Sequence, residues 1–309
     1  MKFSVIIPAY KAAFFQEAVG SVLHQTFADW ELVLVDDASP EDLESLIAPA
    51  LADPRVKYFR NGKNFGAVDV VDNWNRGLGY CSGDYVICMG DDDRILPECL
   101  SNYAALIEAF PDYKLFHAMT QIIDSKGDVT ECLEERPQTE SSLEMLLARW
   151  KGRKQFMGDF CFDRKELIKN GGFYKMPLAW GSDDVTAFMT AKGGPGVANT
   201  SAPGFQYRWN DATITSNGSY ELKVSAMMQC ADWYRETVSS MAVDTVKEEE
   251  TRKELLSMLD RHFLDYSRQY VREDVSRKPS RFLFWLKNRD LTRLGFFQTL
   301  VQSLKGIIL

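Results

Sequence analysis

The sequence lacks the histidine and cysteine patterns that, apart from carboxylates, build most metal sites in proteins. Its 309 residues include only three histidines and six cysteines. The histidines show no metal-ligand spacing, and the cysteines form neither a Cys-x-x-Cys pair nor a zinc-finger pattern. We therefore expect structural histidines and reduced, mostly buried thiols.

Long apolar runs are also missing. No stretch reaches the ~18 consecutive apolar residues of a membrane-spanning helix, and the apolar run near the N-terminus is too short for a signal-peptide core. We therefore expect a cytoplasmic protein. The 44 acidic residues outnumber the 36 basic ones, giving a formal net charge of −8, which argues against general binding to nucleic acid.

The first hundred residues alternate short β-branched runs with segments of helical period. This pattern is typical of a parallel α/β sheet. The predicted strands are 3–7, 31–35, 56–59 and 85–89, and the predicted helices are 15–23, a short one near 41, and 68–80. No Gly-x-Gly-x-x-Gly follows the first strand, which argues against a dinucleotide-dependent dehydrogenase. Pro8-Ala9-Tyr10-Lys11 likewise differs from the Gly-rich loop of a sugar nucleotidylyltransferase.

The remainder of the chain is less regular and ends in helices. We predict a strand at 115–123, a helix at 141–150, and a loop followed by a short helix within 171–194. After residue 220 only helical stretches remain, at 220–243, 247–273 and 280–305. The boundary is placed in the polar stretch 210–219, which predicts a catalytic domain at 1–215 and a helical extension at 216–309.

Three polar clusters follow predicted strands, at Pro8-Ala9-Tyr10, Asp36-Asp37 and Asp91-Asp92-Asp93. The carboxyl ends of parallel strands meet at one edge of a sheet, where ligands bind. Adjacent carboxylates raise one another's pKa, and a magnesium or manganese ion bound to diphosphate oxygens relieves that repulsion. A solvated acidic turn is the alternative for the triplet alone.

Five segments occur in order over roughly residues 3–100. They are Val5-Ile6-Ile7-Pro8-Ala9-Tyr10, Ser21-Val22-Leu23-His24-Gln25-Thr26-Phe27, Trp30-Glu31-Leu32-Val33-Leu34-Val35-Asp36-Asp37-Ala38-Ser39, Asn64-Phe65-Gly66, and Gly83-Asp84-Tyr85-Val86 with Asp91-Asp92-Asp93-Arg94-Ile95-Leu96-Pro97. Together they resemble the family 2, GT-A type, nucleotide-sugar glycosyltransferases of bacterial polysaccharide biosynthesis, and the ordered set is far more specific than any one segment.

The resemblance implies a Rossmann-like mixed sheet flanked by helices and a bound nucleotide-sugar, with uridine diphosphate the favoured carrier. It also implies a divalent cation, manganese or magnesium, held by Asp93 and Asp91. Many relatives have Asp-x-Asp-Asp where this chain has Gly90-Asp91-Asp92-Asp93, so the metal-facing member stays open between those two. The donor-binding residues that the resemblance implies are Pro8, Ala9, Tyr10, Asp36, Asn64, Gly66, Asp91, Asp92 and Arg208.

The base that activates the acceptor hydroxyl is implied by a later segment. Gly171-Gly172-Phe173-Tyr174, followed by Ser182-Asp183-Asp184-Val185, is similar to the Gly-Gly-Phe and Glu-Asp arrangement of the family. Asp184 is the first choice for the base and Asp183 the second, since a shift of one residue would exchange them. Capping of a helix N-terminus is the alternative role for both.

The C-terminal end differs in charge from the rest of the chain. After residue 276 there are seven basic residues and one acidic residue, a local charge of +6, so the remainder carries −8 − 6 = −14. The basic residues alternate with aromatic and aliphatic ones. Such a helix is suited to an anionic membrane surface on the inner face; packing on the catalytic domain or on the second copy of a homodimer is the alternative.

The hypothesis is an inverting, metal-dependent glycosyltransferase that moves a sugar from a nucleoside diphosphate, preferably UDP, to a glycan or lipid-linked acceptor in cell-surface polysaccharide synthesis. A catalytically silent glycan- or nucleotide-binding relative is the rival, because fold alone does not guarantee activity.

Overall fold

A computed structural model describes residues 1–209 and 218–308. The chain divides into two compact units. The first comprises Met1–Lys175 and continues from Ser182 to the end of the last strand; the second comprises Met176–Gly181 and the C-terminal helices. The boundary predicted at 210–219 lies almost wholly outside the described residues, so the division at residue 215 stays a prediction.

One mixed sheet forms the centre of the first unit. Its strand order is β3-β2-β1-β4-β9-β6-β10-β5, with β7 beside β6 and β8 beside β10. The strands β1 to β4 run parallel, whereas β9 is antiparallel to both of its neighbours. The strands are β1 Phe3–Ala9, β2 Trp30–Asp36, β3 Val56–Arg60, β4 Tyr85–Cys88, β5 Arg94–Ile95, β6 Leu115–Ile123, β7 Val129–Cys132, β8 Thr139–Glu140, β9 Phe160–Asp163 and β10 Val197–Arg208.

Helices surround this sheet and make up most of the second unit. Ser141 begins α5 with a capping box that it forms with Glu144. The helices of the first unit are α1 Phe15–Leu23, α2 Leu43–Leu46, α3 Val70–Tyr80, α4 Cys99–Ala109, α5 Ser142–Trp150, α6 Arg164–Lys169 and α7 Ser182–Lys192. Those of the second unit are α8 Tyr220–Ser240, α9 Val246–Arg277, α10 Phe282–Lys287 and α11 Phe296–Ile308.

The mixed sheet with flanking helices agrees with the predicted fold class, and the first four strands lie where the apolar runs predict them. The short or partly polar strands β5, β7, β8 and β9 were not predicted, and neither was β10. The prediction of one helix over 280–305 is wrong, because the structure has two helices there. Between them Arg293 adopts a left-handed backbone conformation with φ of 54°, which a right-handed helix cannot continue through.

Glu31 joins three strands at the amino-terminal edge of the sheet. Its buried carboxylate accepts hydrogen bonds from Ser4 Oγ of β1 (2.7 Å) and from Lys57 Nζ of β3 (2.7 Å). It also accepts bonds from Ser82, in the loop that leads into β4. Burial would raise the pKa of Glu31, but the hydrogen bonds from Lys57, Ser4 and Ser82 outweigh it and hold the pKa well below 4.5.

Replacing Glu31 by Gln should lower the free energy of unfolding of the first unit by about 2–4 kcal/mol, since buried donors lose a charged acceptor. Because the folded-state pKa lies below 4.5, the carboxylate stabilises the fold above that pH, and the stabilisation disappears as the pH falls through the folded-state value. Thermal unfolding from pH 7 to pH 3 should therefore show the gap between wild type and variant closing in acid. A gap independent of pH would contradict this role.

Candidate active site

The carboxyl ends of β1, β2 and β4 lie side by side and are joined by hydrogen bonds from main-chain amides. Ala9 pairs with Asp36 in the sheet, and the amide of Asp37 donates to the Ala9 carbonyl oxygen over 2.8 Å. After β4, the carboxylate of Asp91 accepts bonds from the amides of Tyr10 (2.7 Å) and Lys11 (2.9 Å). The polar segments predicted at these strand ends therefore meet at one edge of the sheet.

Asp36 lies at this edge but is wholly buried. One carboxylate oxygen accepts from the amide of Ser39 (2.7 Å), and the other accepts from Tyr58 Oη (2.5 Å) and is ion-paired with Arg60. Protein donors therefore contact both oxygens of Asp36, and its predicted part in donor binding stays a prediction. In this structure Asp36 shapes the turn that follows β2.

Asp37 positions the loop that contains Asn64 and Gly66. Its carboxylate accepts hydrogen bonds from the amides of Phe65 (2.9 Å) and Gly66 (3.2 Å). Gly66 has a φ of 69°, a conformation that glycine adopts without the steric cost of a side chain. The loop is thus fixed beside the end of β2, where Tyr10 presents a ring that is 41% exposed.

In the acidic turn after β4, the carboxylates of Asp92 and Asp93 both approach Gly90. A Cβ atom added to Gly90 would lie 2.8 Å from Asp92 Oδ1 and 3.0 Å from Asp93 Oδ2. Burial raises the pKa of Asp91 to about 6. Burial and the charge of Asp92 raise the pKa of Asp93 well above its usual range. The glycine that replaces the first acidic residue of the family pattern therefore leaves room for these two carboxylates to converge.

The donor chemistry of this turn fits a hard divalent cation. Carboxylate oxygens are its preferred protein ligands, and one or two of them suffice when phosphates and water complete the shell. Across residues 1–209 and 218–308, no set of three or more His, Cys, Asp or Glu side chains is arranged to hold a metal ion. Asp93, with Asp91 or Asp92, would therefore share the cation with oxygens of a bound ligand.

Arg208 holds the acidic turn in place through hydrogen bonds. Its amide donates to Asp93 Oδ1 (2.9 Å), and its guanidinium donates to the Asp92 carbonyl oxygen (2.8 Å). The remaining nitrogens bond the Asp124 carbonyl oxygen (3.0 Å) and pair with Glu17 (2.6 Å). The side chain is buried and bonded to protein acceptors, which gives Arg208 a positioning role in this structure, and its part in donor binding stays a prediction.

Asp183 and Asp184 occupy the first turn of α7 in different electrostatic surroundings. The Asp184 carboxylate accepts from Arg149 Nε (2.9 Å) and Gln155 Nε2 (2.8 Å). Burial, reinforced by the charge of Asp184, raises the pKa of Asp183 to about 7. A general base works best with a pKa near the operating pH, which is a reason to consider Asp183; the choice between Asp184 and Asp183 stays a prediction.

A cleft of about 520 Å³ is lined by residues that contact Arg208 and Asp184. Asp124, whose carbonyl oxygen bonds Arg208, lines it, as do the two partners of Asp184. Trp209 stands at the cleft with 59% of its side chain exposed. The lining residues are Ile122, Asp124, Thr130, Glu131, Arg149, Lys154, Gln155, Phe156 and Trp209.

Sequence analysis missed four residues that hold the site in place. Glu17 and Asp124 fix Arg208, and Arg149 and Gln155 fix Asp184. Each is separated from its partner by 29 or more residues, so local spacing gives no signal for the pairing. The excess of basic residues in 149–154 is the only hint of these pairings in the sequence.

Comparison with known proteins now bears on this arrangement. The family model for glycosyl transferase family 2 matches residues 4–165, which hold the strand ends, the acidic turn and Arg149. The chain belongs to this family. The predicted family and the predicted class of enzyme, a glycosyltransferase, are both confirmed.

Individual relatives agree with this assignment. A GalNAc(5)-diNAcBac-PP-undecaprenol beta-1,3-glucosyltransferase of Campylobacter jejuni is 28% identical over 179 residues, which are 56% of this chain and 54% of that protein. The chain thus spans about half of the length of this relative.

Solved structures agree on the fold. A crystal structure of S. aureus TarS 1-349 with UDP-GlcNAc superposes with a TM-score of 0.69 at 15% identity, over 98% of this chain and 90% of that one. A mannosyltransferase from Pyrobaculum calidifontis with GDP-Man and Mn²⁺ gives 0.57 at 17% identity, over 99% and 85%. At this identity the likeness shows the fold alone, and it confirms the predicted GT-A architecture.

Replacing Gly90 by Ala should weaken manganese-dependent UDP binding about tenfold or more, because the new Cβ displaces the two carboxylates that converge above it. Titration calorimetry with UDP and MnCl₂ measures the loss. Gly62→Ala is the matched control, since a Cβ at this position meets no atom within 4 Å. Equal binding by the two variants would contradict a cation site at this turn.

Proposed function

We propose that the chain is an inverting, metal-dependent glycosyltransferase that uses a UDP-sugar donor and a glycan or lipid-linked acceptor in cell-surface polysaccharide synthesis. The observation that carries the proposal is the presence, in one compact unit, of the acidic turn after β4 and of Asp183, whose pKa is raised to about 7. The cleft is lined by Asp124, whose carbonyl oxygen bonds Arg208, and by Arg149 and Gln155, which hold Asp184. An acidic turn that suits a cation and a carboxylate that suits a proton fit a displacement between an anionic leaving group and a hydroxyl nucleophile.

The donor side is supported by the exposed ring of Tyr10, which offers a surface on which a nucleobase can stack. Asp36 and Asp37 act as positioning residues, since they hold the turn after β2 and the loop with Asn64 and Gly66. A TarS structure containing UDP-GlcNAc supports UDP as the carrier. The lipid-linked acceptor in the name of the Campylobacter relative supports that acceptor class.

A bound divalent cation, held by Asp93 with Asp91 or Asp92, would supply positive charge against the departing diphosphate. The chain's own residues do the remainder. Arg208 fixes the acidic turn, and Arg149 and Gln155 fix Asp184. Burial, with the negative charge of Asp184, keeps Asp183 basic enough to accept the proton of the acceptor hydroxyl, which attacks the anomeric carbon from the face opposite the leaving group.

Asp183→Asn should lower kcat for sugar transfer by about 10²- to 10⁴-fold, the usual contribution of a general base. Because the base acts deprotonated, wild-type kcat should rise with pH and level off above about 7. Radiolabelled transfer between pH 5 and pH 9 measures both effects. Asp163→Asn, at the N-cap of α6, is the matched control and should keep the activity.

The silent relative predicts a different outcome. Wild-type protein would then bind UDP yet show neither transfer nor slow manganese-dependent hydrolysis of UDP-sugars. Unchanged transfer in Asp183→Asn would instead remove Asp183 from the mechanism and return the role of base to Asp184.

The C-terminal helices support a further part of the proposal, attachment to an anionic membrane surface. Among the described residues, no helix is long and apolar enough to cross a bilayer. In α11 the small residues Thr299, Ser303 and Gly306 face inward. A Cβ at Gly306 would lie 2.5 Å from the Arg272 carbonyl oxygen of α9.

The large apolar side chains of α11 face outward instead. Phe297 is 79% exposed, and the local charge of +6 complements anionic lipid headgroups. Such an apolar stripe beside basic residues fits an interfacial helix better than a solvated one. The exposed apolar residues of the helix are Phe296, Phe297, Val301, Leu304, Ile307 and Ile308.

Phe297→Ser combined with Val301→Ser should weaken binding to phosphatidylglycerol vesicles about tenfold or more, because two apolar side chains no longer enter the bilayer interface. Vesicle co-sedimentation at low and high salt measures the loss. Val246→Ser, which changes a side chain 77% exposed on α9, is the matched control. Failure of the wild type to bind at low salt would contradict membrane attachment, and a dimer that the double variant dissociates would assign the stripe to a second copy.

A further inference from the structure

A second, smaller cavity lies beside the cleft and is lined mainly by charged side chains. Its volume is about 170 Å³, room for several water molecules at ~30 Å³ each. It shares Glu131 and Lys154 with the larger cleft, so the two spaces are neighbours. The lining residues are His117, Thr120, Glu131, Leu133, Glu134, Arg136, Arg153 and Lys154.

Arg136 is the unusual residue of this cavity. Its side chain is only 7% exposed, and its Nη1 has no hydrogen-bond partner in the described part of the chain. Its Nη2 donates to the Lys154 carbonyl oxygen (3.1 Å), and the guanidinium lies 5.9 Å from the centre of the Phe160 ring. Burial lowers the pKa of Arg136 to about 10, which leaves it charged at neutral pH.

Two neighbours of Arg136 are also incompletely bonded. Arg153 pairs with Glu140 through Nη2, yet its buried Nε has no partner within the described residues. Both ring nitrogens of buried His117 lack a hydrogen-bond partner there as well, although Nε2 lies 3.5 Å from Asp159. At the mouth, Lys154 is ion-paired with Glu131 over 2.6 Å. The inner wall of the cavity therefore contains two guanidinium groups that each keep one nitrogen without an acceptor, and the buried Asp159 beside His117 keeps Oδ1 without a donor among the described residues.

Burying a charged donor without an acceptor costs free energy that a ligand with anionic oxygens restores. Guanidinium groups match the paired oxygens of phosphate and carboxylate. The exposed carboxylates of Glu131 and Glu134 at the mouth accept hydrogen bonds and suit the hydroxyl groups of a sugar. The lining thus combines an anion-binding interior with a sugar-compatible entrance.

We propose that this cavity binds a phosphate or carboxylate group carried by the sugar acceptor, with Arg136 and Arg153 as its donors. This rests on the proposed glycosyltransferase function, because the neighbouring cleft is lined by Asp124, which bonds Arg208, and by Arg149 and Gln155, which hold Asp184. The cavity would thereby select acceptors that bear an anionic substituent.

Titration calorimetry with inorganic phosphate, glucose 6-phosphate and glucose tests the proposal on the full chain. We expect saturable binding in the order glucose 6-phosphate, phosphate, glucose, and a loss of about tenfold or more for both phosphates in Arg136→Gln. Arg136→Lys should retain part of the affinity. Arg76→Gln, which removes an exposed guanidinium from α3, is the matched control and should bind as the wild type does.

Several outcomes would overturn the proposal. Absence of saturable phosphate binding would mean that the cavity holds only water. Phosphate binding as tight as that of glucose 6-phosphate would assign the site to free phosphate instead of an acceptor. If Arg136→Gln unfolds, Arg136→Lys and Lys154→Gln supply the same comparison. UDP binding, measured in parallel, should be unchanged in Arg136→Gln and Arg136→Lys; its absence from the wild type would count against the proposed function and leave the phosphate result readable.

Discussion

Burial of carboxylates at the carboxyl edge of the sheet is the constraint on which the rest of the site depends. Main-chain amides satisfy each of them. The amide of Ser39 donates a hydrogen bond to Asp36, and the amides of Tyr10 and Lys11 donate to Asp91. The amide of Arg208 donates to Asp93 in the acidic turn. The bonds to Asp91 and Asp93 join the turn after β4 to the segment after β1 and to the end of β10, and the amide of Asp37 joins the turn after β2 to the end of β1. The loops after β1, β2 and β4 are therefore connected to one another.

The hydrogen bonds leave a remaining electrostatic cost. Asp91 and Asp93 keep raised pKa values in spite of their amide donors, since burial and mutual repulsion outweigh the bonds. Arg208 adds a positive charge, but its ion pair with Glu17 offsets part of that charge. The carboxylates of the acidic turn repel one another, so a cation bound together with the substrate would be favoured here.

The sequence predicts the edge of the site better than its interior. Polar residues directly after apolar strands, as at Asp36 and Asp91, are visible because strand order alone brings them together. The contacts that hold Asp184 could not be foreseen, because Arg149, which donates to it, is 35 residues away along the chain. The environment of the Arg136 guanidinium is equally invisible, since the carbonyl oxygen that it bonds belongs to Lys154, 18 residues further along the chain.

Cys132 has a practical consequence for experiments on this protein. All six cysteines are free; Cys132 is exposed, and the other five are buried. It lies on β7 between Glu131 and Leu133, which line the smaller cavity. The wild-type chain therefore offers a natural attachment point for a thiol-reactive fluorophore. With Trp209 exposed at the adjoining cleft as the energy donor, resonance energy transfer would report ligand occupancy without engineered labels.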